Sequence, residues 1–242
     1  MPFLLWRNII AQYVVLREYE MTKRSDIIDN SDRYITRDTP KGLVYTDNLG
    51  WIDLGHANPG GAERLWQQMV MPYGGDDTWF EVNYHQSMST NVFATGITTG
   101  IYRRFLVRRG LSEHVLQGVA LSIFMGTSHQ FESLQNLWPY IVLTDSGYSA
   151  EDLVSNLLGF CQAVNYADYT AYLHICPKEK AYRIWDHYGP VGEYKNKSVL
   201  PLIFPDPIEK TGNLKPYSGT LPTFMSSITP VASPEYVREL RL

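Results

Sequence analysis

Residues 115–128, VLQGVALSIFMGTS, contain no charged side chain. They sit inside a longer run, LSEHVLQGVALSIFMGTSHQFESLQNLW, which Gly110 precedes and Pro139 follows. Ser112 stands at the N-cap position, and the proline ends or bends the helix that the run predicts. A helix apolar nearly all round has to be buried. This one cannot be wholly inert, because Gly118, Ser122, Met125, His129, Glu132 and Asn136 recur three and four apart and share one face. The stripe is small and polar. Buried, it has to meet other polar groups, a cavity or water, and it is expected to line a cleft.

The rest of the chain is arranged around that helix. Residues 1–42 read as an amphipathic helix (Leu5, Ile9, Tyr13 and Leu16 at helical spacing) followed by a polar loop. LVYTDNLGWIDLGH predicts short strands closing in a turn. NPGGAERLWQQMVM predicts a helix bounded by Pro59 and Pro72. Residues 79–109 are rich in Thr, Tyr, Val, Ile and Phe and predict two or three strands. SAEDLVSNLLGFCQAV opens with Ser149 and Asp152 at capping-box spacing and carries one apolar face. Shorter helices follow, and from about residue 195 repeated prolines predict an extended, irregular tail. The fold expected is α+β: a mostly helical single domain over 1–242 with a buried central helix, a small antiparallel sheet and a Pro-rich C-terminal tail. Residues 43–194 form its core and 195–242 the tail.

Charge and cysteine usage narrow the function. A net charge of −4 leaves no electrostatic footprint for nucleic acid. The cluster Arg103, Arg104, Arg108 and Arg109 is short enough to be a solvated strand face. Cys161 and Cys176 form neither a disulfide framework nor a zinc knuckle. No apolar run is long enough for a transmembrane segment. The N-terminus lacks the basic region and cleavage site of a signal peptide, so synthesis in the cytoplasm is expected, and any export would need a dedicated secretion system.

Candidate site residues fall in three places. On the central helix, His129 and Glu132 stand three apart, suiting general acid–base work or a metal shared between helices, with Ser122 on the same stripe. No second histidine makes this the zinc-protease motif. In GWIDLGHANPGG, Asp53 and His56 end a strand just before a turn, where a carboxylate orients a histidine or simply holds turn amides. In SAEDLVSNLLG, Glu151, Ser155 and Asn156 lie off the leucine face, although Glu151 also suits the helix dipole. His56 and His129 are the candidate ligands of a divalent metal such as zinc. Glu132, His129, His56 and Asp53 are the candidate catalytic set, and Glu151, Ser155, Asn156 and Ser122 the candidate substrate-binding set. Seventeen Tyr and six Trp suit a core or a pocket for flat ligands equally well.

GLVYTDNLGWIDLGHAN, MGTSHQFESLQNLW and SGYSAEDLVSNLLGF, taken in that order, resemble an uncharacterised bacterial family: a domain of unknown function found in envelope proteins and lipoproteins. The matching features are a strand ending in Asp53 and His56, a helical His129-to-Ser133 segment, and the run from Ser149 to Gly159. The resemblance covers about residues 42–165. It departs at Gln130, where the family pattern has an acid, and in lacking a lipoprotein signal. It implies that Asp53/His56, His129/Glu132 and Glu151–Asn156 form one site, and it carries no activity of its own. Converging histidines and carboxylates suit acid–base or zinc-assisted hydrolysis, with envelope material, either peptidoglycan or a lipid, as the expected substrate. Hydrolysis of an envelope polymer or lipid is therefore the expected activity. With no signal peptide, an effector exported into a rival cell, with an immunity protein or secretion component as partner, fits the same features. The alternatives are a non-catalytic glycan- or peptide-binding module and a structural part of a secretion apparatus.

Overall fold

The computed structural model describes residues 22–29, 35–36, 38–39, 41–92, 95–135, 148–209 and 212–240. The expected N-terminal helix and Pro139 lie outside them. The architecture is mixed α+β, with helices and small antiparallel sheets in one molecule.

β1 (Leu43–Thr46) and β2 (Gly50–Asp53) form a hairpin in which Val44 faces Ile52 and Tyr45 faces Trp51. Side chains alternate across a strand, and here both faces are buried. Val44 and Ile52 enter the main core, while Leu43, Tyr45 and Trp51 enter a second cluster with Ile184, Trp185 and Phe204. The hairpin is thus a partition between two apolar bodies. Ile27 and Ile35, in what reads as a polar linker, are also buried. Ile27 bridges to Leu43 beside the hairpin.

α1 (Gly60–Val70) follows Pro59 and stops before Pro72, burying Ala62, Leu65, Trp66 and Met69 on one face. β3 (Trp79–Val92) and β4 (Thr95–Arg108) pair along their whole length. The third strand of that sheet is β7 (Val237–Leu240), which the tail lays against β4. Half of the arginine cluster is committed there: Arg103 pairs with Glu239 at 2.6 Å and Arg104 with Glu81 at 2.9 Å.

α2 (Glu113–Gln135) is the charge-poor helix. It packs on the β3–β4 sheet on one side and on α3 (Asp152–Asn165) on the other. Every residue of α3 from Asp152 to Val164 is buried, so its polar residues have only protein around them. α4 (Lys178–Tyr188) buries Ala181, Ile184 and Trp185 in the second cluster. The tail is more regular than its prolines suggest. It contains the β5 (Leu202–Ile203) and β6 (Tyr217–Ser218) pair, the short α5 (Thr223–Ser226) and β7. It also covers the first part of the α2 stripe: the Val231 amide donates to the Gly118 carbonyl at 2.9 Å. A side chain at Gly118 would meet the Thr229 carbonyl at 2.5 Å. The stripe therefore does not line an open cleft at that end. Among the described residues no helix is long and apolar enough to cross a membrane. Cys161 and Cys176 are both buried free thiols.

Candidate active site

The site is assembled where β2 ends against the first turns of α3. The Asp53 amide donates to Ser155 Oγ at 3.0 Å, tying the strand end to the helix. The Asp53 carboxylate then folds the chain back on itself, with Oδ1 accepting from the Gly55 amide at 2.6 Å and the His56 amide at 3.1 Å. This is the Asx turn that such a residue forms, so Asp53 positions His56 through the backbone and not by holding its ring. The loop can lie this close to α3 because residue 159 is glycine. A Cβ there would stand 2.8 Å from the Ala57 carbonyl oxygen.

The His56 ring faces the start of α3. Its Nε2 is 3.9 Å from Asp152 Oδ1, and its side chain is 33 % exposed against 8 % for Asp152. Asn156, one helical turn after Asp152, hydrogen-bonds to the ring. Burial on its own pulls the His56 pKa down. The charges of Asp53, Glu132 and Glu151, with the Asn156 bond, outweigh it and leave the pKa above its ordinary value. Four carboxyl groups from three segments thus act on one histidine.

Two of the acids are held through the short link into α3. Glu132 Oε2 accepts from the Tyr148 amide at 3.1 Å, and Asp152 Oδ2 from the Ser149 amide at 2.7 Å. Glu151 is 1 % exposed. Its Oε1 accepts from Thr22 Oγ1 at 3.3 Å, while Oε2 has no hydrogen-bond partner among the described residues. Burial, reinforced by the Asp53 charge, pushes the Glu151 pKa up to about 7, with His56 pulling the other way. Asp152 is raised well above the usual carboxylate range by burial and by Glu132, Glu151 and Asp53. Packed carboxyls cannot all ionise, so the cluster retains protons near neutrality.

The structure therefore gathers Asp53, His56, Glu132, Glu151, Ser155 and Asn156 around one point. His129 contributes differently. Its carbonyl accepts from Tyr148 OH at 2.8 Å, and its ring lies 6.0 Å from the Tyr148 ring. Ser122 lies two helical turns before His129, about 10 Å along the axis, and makes no hydrogen bond to the cluster. Among the described residues no three His, Cys, Asp or Glu side chains converge as a metal-binding group. Sequence reasoning missed Asp152 and Tyr148. Ser149 and Asp152 stand at capping-box spacing, but the helix starts at Asp152 with Glu151 at the N-cap position and no side-chain cap, although Asp152 does accept the Ser149 amide. The overlooked signal was two adjacent acids opening a helix that is otherwise all apolar or neutral.

The chain matches no protein-family model, no curated protein and no solved structure.

Proposed function

We propose that the chain is a hydrolase of envelope material working by acid–base catalysis from His56, with Glu151, Asp152 and Glu132 behind it. One observation carries this reading: a single partly exposed histidine stands over buried carboxyls, one of which titrates near neutrality. A group with a pKa near the working pH is the efficient proton donor or acceptor. His56 is the group that meets substrate. It takes a proton from the attacking water and returns it to the leaving group, while Asp152 and Glu151 stabilise its charged form. Asp53, Ser155 and Asn156 are positioning residues. The substrate class, peptidoglycan or a lipid, follows from the resemblance of the three segments that supply this cluster. Export as an antibacterial effector with an immunity partner, and a zinc requirement, are extensions of the same reading.

A second reading has its own support. Asp53, Glu132 and Asp152 each already accept a backbone amide, as acids in a structural network do, and the module would then bind a glycan or peptide without turning it over. The test is release of reducing ends, peptides or fatty acids from purified sacculi and phospholipids, with and without added zinc. It compares wild type with His56→Ala, Asp152→Asn and Glu151→Gln. The hydrolase reading expects turnover that His56→Ala lowers about 100-fold or more, with melting temperature nearly unchanged. Binding without turnover, or full activity in His56→Ala, supports the second reading and overturns the first.

A further inference from the structure

An open cleft lies at the opposite end of α1 from the acid cluster. α1 starts beside the His56 loop and runs about 16 Å to Val70. There Trp66 and Met69 meet Phe80 of β3 and Leu111 and Leu116 around the start of α2, lining a volume of about 460 Å³. That volume is within the range of small-ligand sites.

The cleft is walled mainly by apolar side chains, and its mouth carries positive charge. At the mouth, Arg108 is exposed, and its side chain makes no hydrogen bond or ion pair among the described residues. Its neighbour Arg109 spends its guanidinium on two neutral oxygens, the Asp76 carbonyl at 2.8 Å and the Gly74 carbonyl at 2.7 Å. The amino end of α2 borders the same mouth, and its first amides lack acceptors within the helix. Glu113 is the single acid on the lining, against two arginines. Outside the mouth the apolar wall continues into solvent: Val70, Met71 and Tyr73 are 41, 76 and 92 % exposed. That continuation favours a chain over a compact ring, because a chain longer than the cleft keeps apolar contact on the way out.

We propose that this cleft binds an amphipathic anion: an acyl chain lies along the Trp66–Leu116 walls, with its anionic head at Arg108. The argument is independent of the hydrolase reading, and its test reads binding, not turnover. Dodecanoate is titrated calorimetrically into the full chain below its micelle concentration. Saturable binding is expected, weakened tenfold or more by Arg108→Glu and by substituting dodecanol for the acid, and abolished by Leu111→Glu. Arg108 is exposed and Leu111 only half-buried, so both variants should fold, and melting curves check that. The chain is also sedimented with phosphatidylglycerol and with phosphatidylcholine vesicles. Co-sedimentation with the anionic vesicles alone, lost in Met71→Ser/Tyr73→Ser, assigns the acyl chain to a bilayer. Dodecanoate binding without co-sedimentation assigns it to a free amphiphile. If dodecanoate does not saturate and vesicles are not bound, or if Arg108→Glu binds as wild type does, the proposal is overturned.

Discussion

Replacing Glu151 with glutamine makes the sharpest test of the buried acid cluster. Glutamine has the shape of the protonated acid, keeps an oxygen for Thr22 Oγ1, and removes the titration. The native pKa is raised from 4.5 to about 7. The folded state therefore keeps the proton over a range in which the unfolded chain has released it, and stability falls as pH rises through that window. Glu151 is 1 % exposed, so the shift converts to about 3 kcal/mol over the whole window. Of this, about 2–3 kcal/mol falls between pH 5 and pH 8. Urea unfolding of wild type and Glu151→Gln at intervals across that range should show the variant gaining relative stability with pH, by that amount. Losing the Glu151 charge should also lower the His56 pKa, read from its imidazole resonances. His56 is raised in the native state as well, so its own contribution is present below its ordinary value and lost as pH climbs through the raised one. The difference between the two unfolding profiles therefore carries the Glu151 titration together with the change it makes at His56, and the imidazole resonances measure the second part. A difference that stays flat from pH 5 to pH 8 would show that Glu151 is ionised and solvated in the native protein, and the proposed proton reservoir would not exist.

Gly159→Ala should push the Ala57–Asn58 backbone off α3, since its new Cβ meets the Ala57 carbonyl oxygen at 2.8 Å and that of Asn58 at 3.2 Å. The expected loss is about 1–3 kcal/mol, measured by thermal melting, together with a fall in the His56 pKa as its ring leaves the acids. Away from the site, Arg183→Ala strands the Asp206 carboxylate, which is 2 % exposed and pairs with that guanidinium at 2.7 Å. Arg183 is itself 36 % exposed, so a loss of stability at pH 7 is expected, smaller than the full penalty for breaking a buried pair. Asp206 has a lowered pKa in the fold, so its pairing stabilises above the ordinary aspartate range and is lost below it. Unfolding at pH 7 and at pH 3.5 should show the deficit shrinking at the acid end, and an undiminished deficit there would refute the assignment.

Local pattern carried much of the fold. Pro59 and Pro72 bracket α1, and alternation marked the β1–β2 hairpin, because these signals act through neighbours in sequence. What pattern could not carry was long-range placement. Nothing in Val237–Leu240 announces that it will join β4, more than a hundred residues earlier, and nothing in Gly118 says that Val231 will cover it. The site divides along the same line. Asp53 and His56 stood out because a turn needs an acid there. Glu132 stood out because it interrupts an apolar helix. Asp152 was hidden by its capping-box spacing, and the weight given to His129 came from reading a helical face without knowing what packs on it. Its carbonyl is bound by the Tyr148 hydroxyl, and its ring lies against the Tyr148 ring.

The cluster is hard to account for as a stabilising device. The raised pKa values of Glu151 and Asp152 mean that the native fold disfavours their charged forms, and two further acids, Asp53 and Glu132, close by add to the cost. The structural duties that three of them perform, accepting the amides of His56, Tyr148 and Ser149, are ones that asparagine, glutamine or serine can perform without charge. The fourth, Glu151, leaves an oxygen without a hydrogen-bond partner among the described residues. A core selected for stability alone would have shed these acids, since neutral replacements of the same shape remove the repulsion and keep the bonds. What acids add over amides is a set of protons that can move, and one ring, His56, reaches from them to solvent. Strain kept at the one point where buried titratable groups meet the surface is the pattern of a site that trades stability for chemistry.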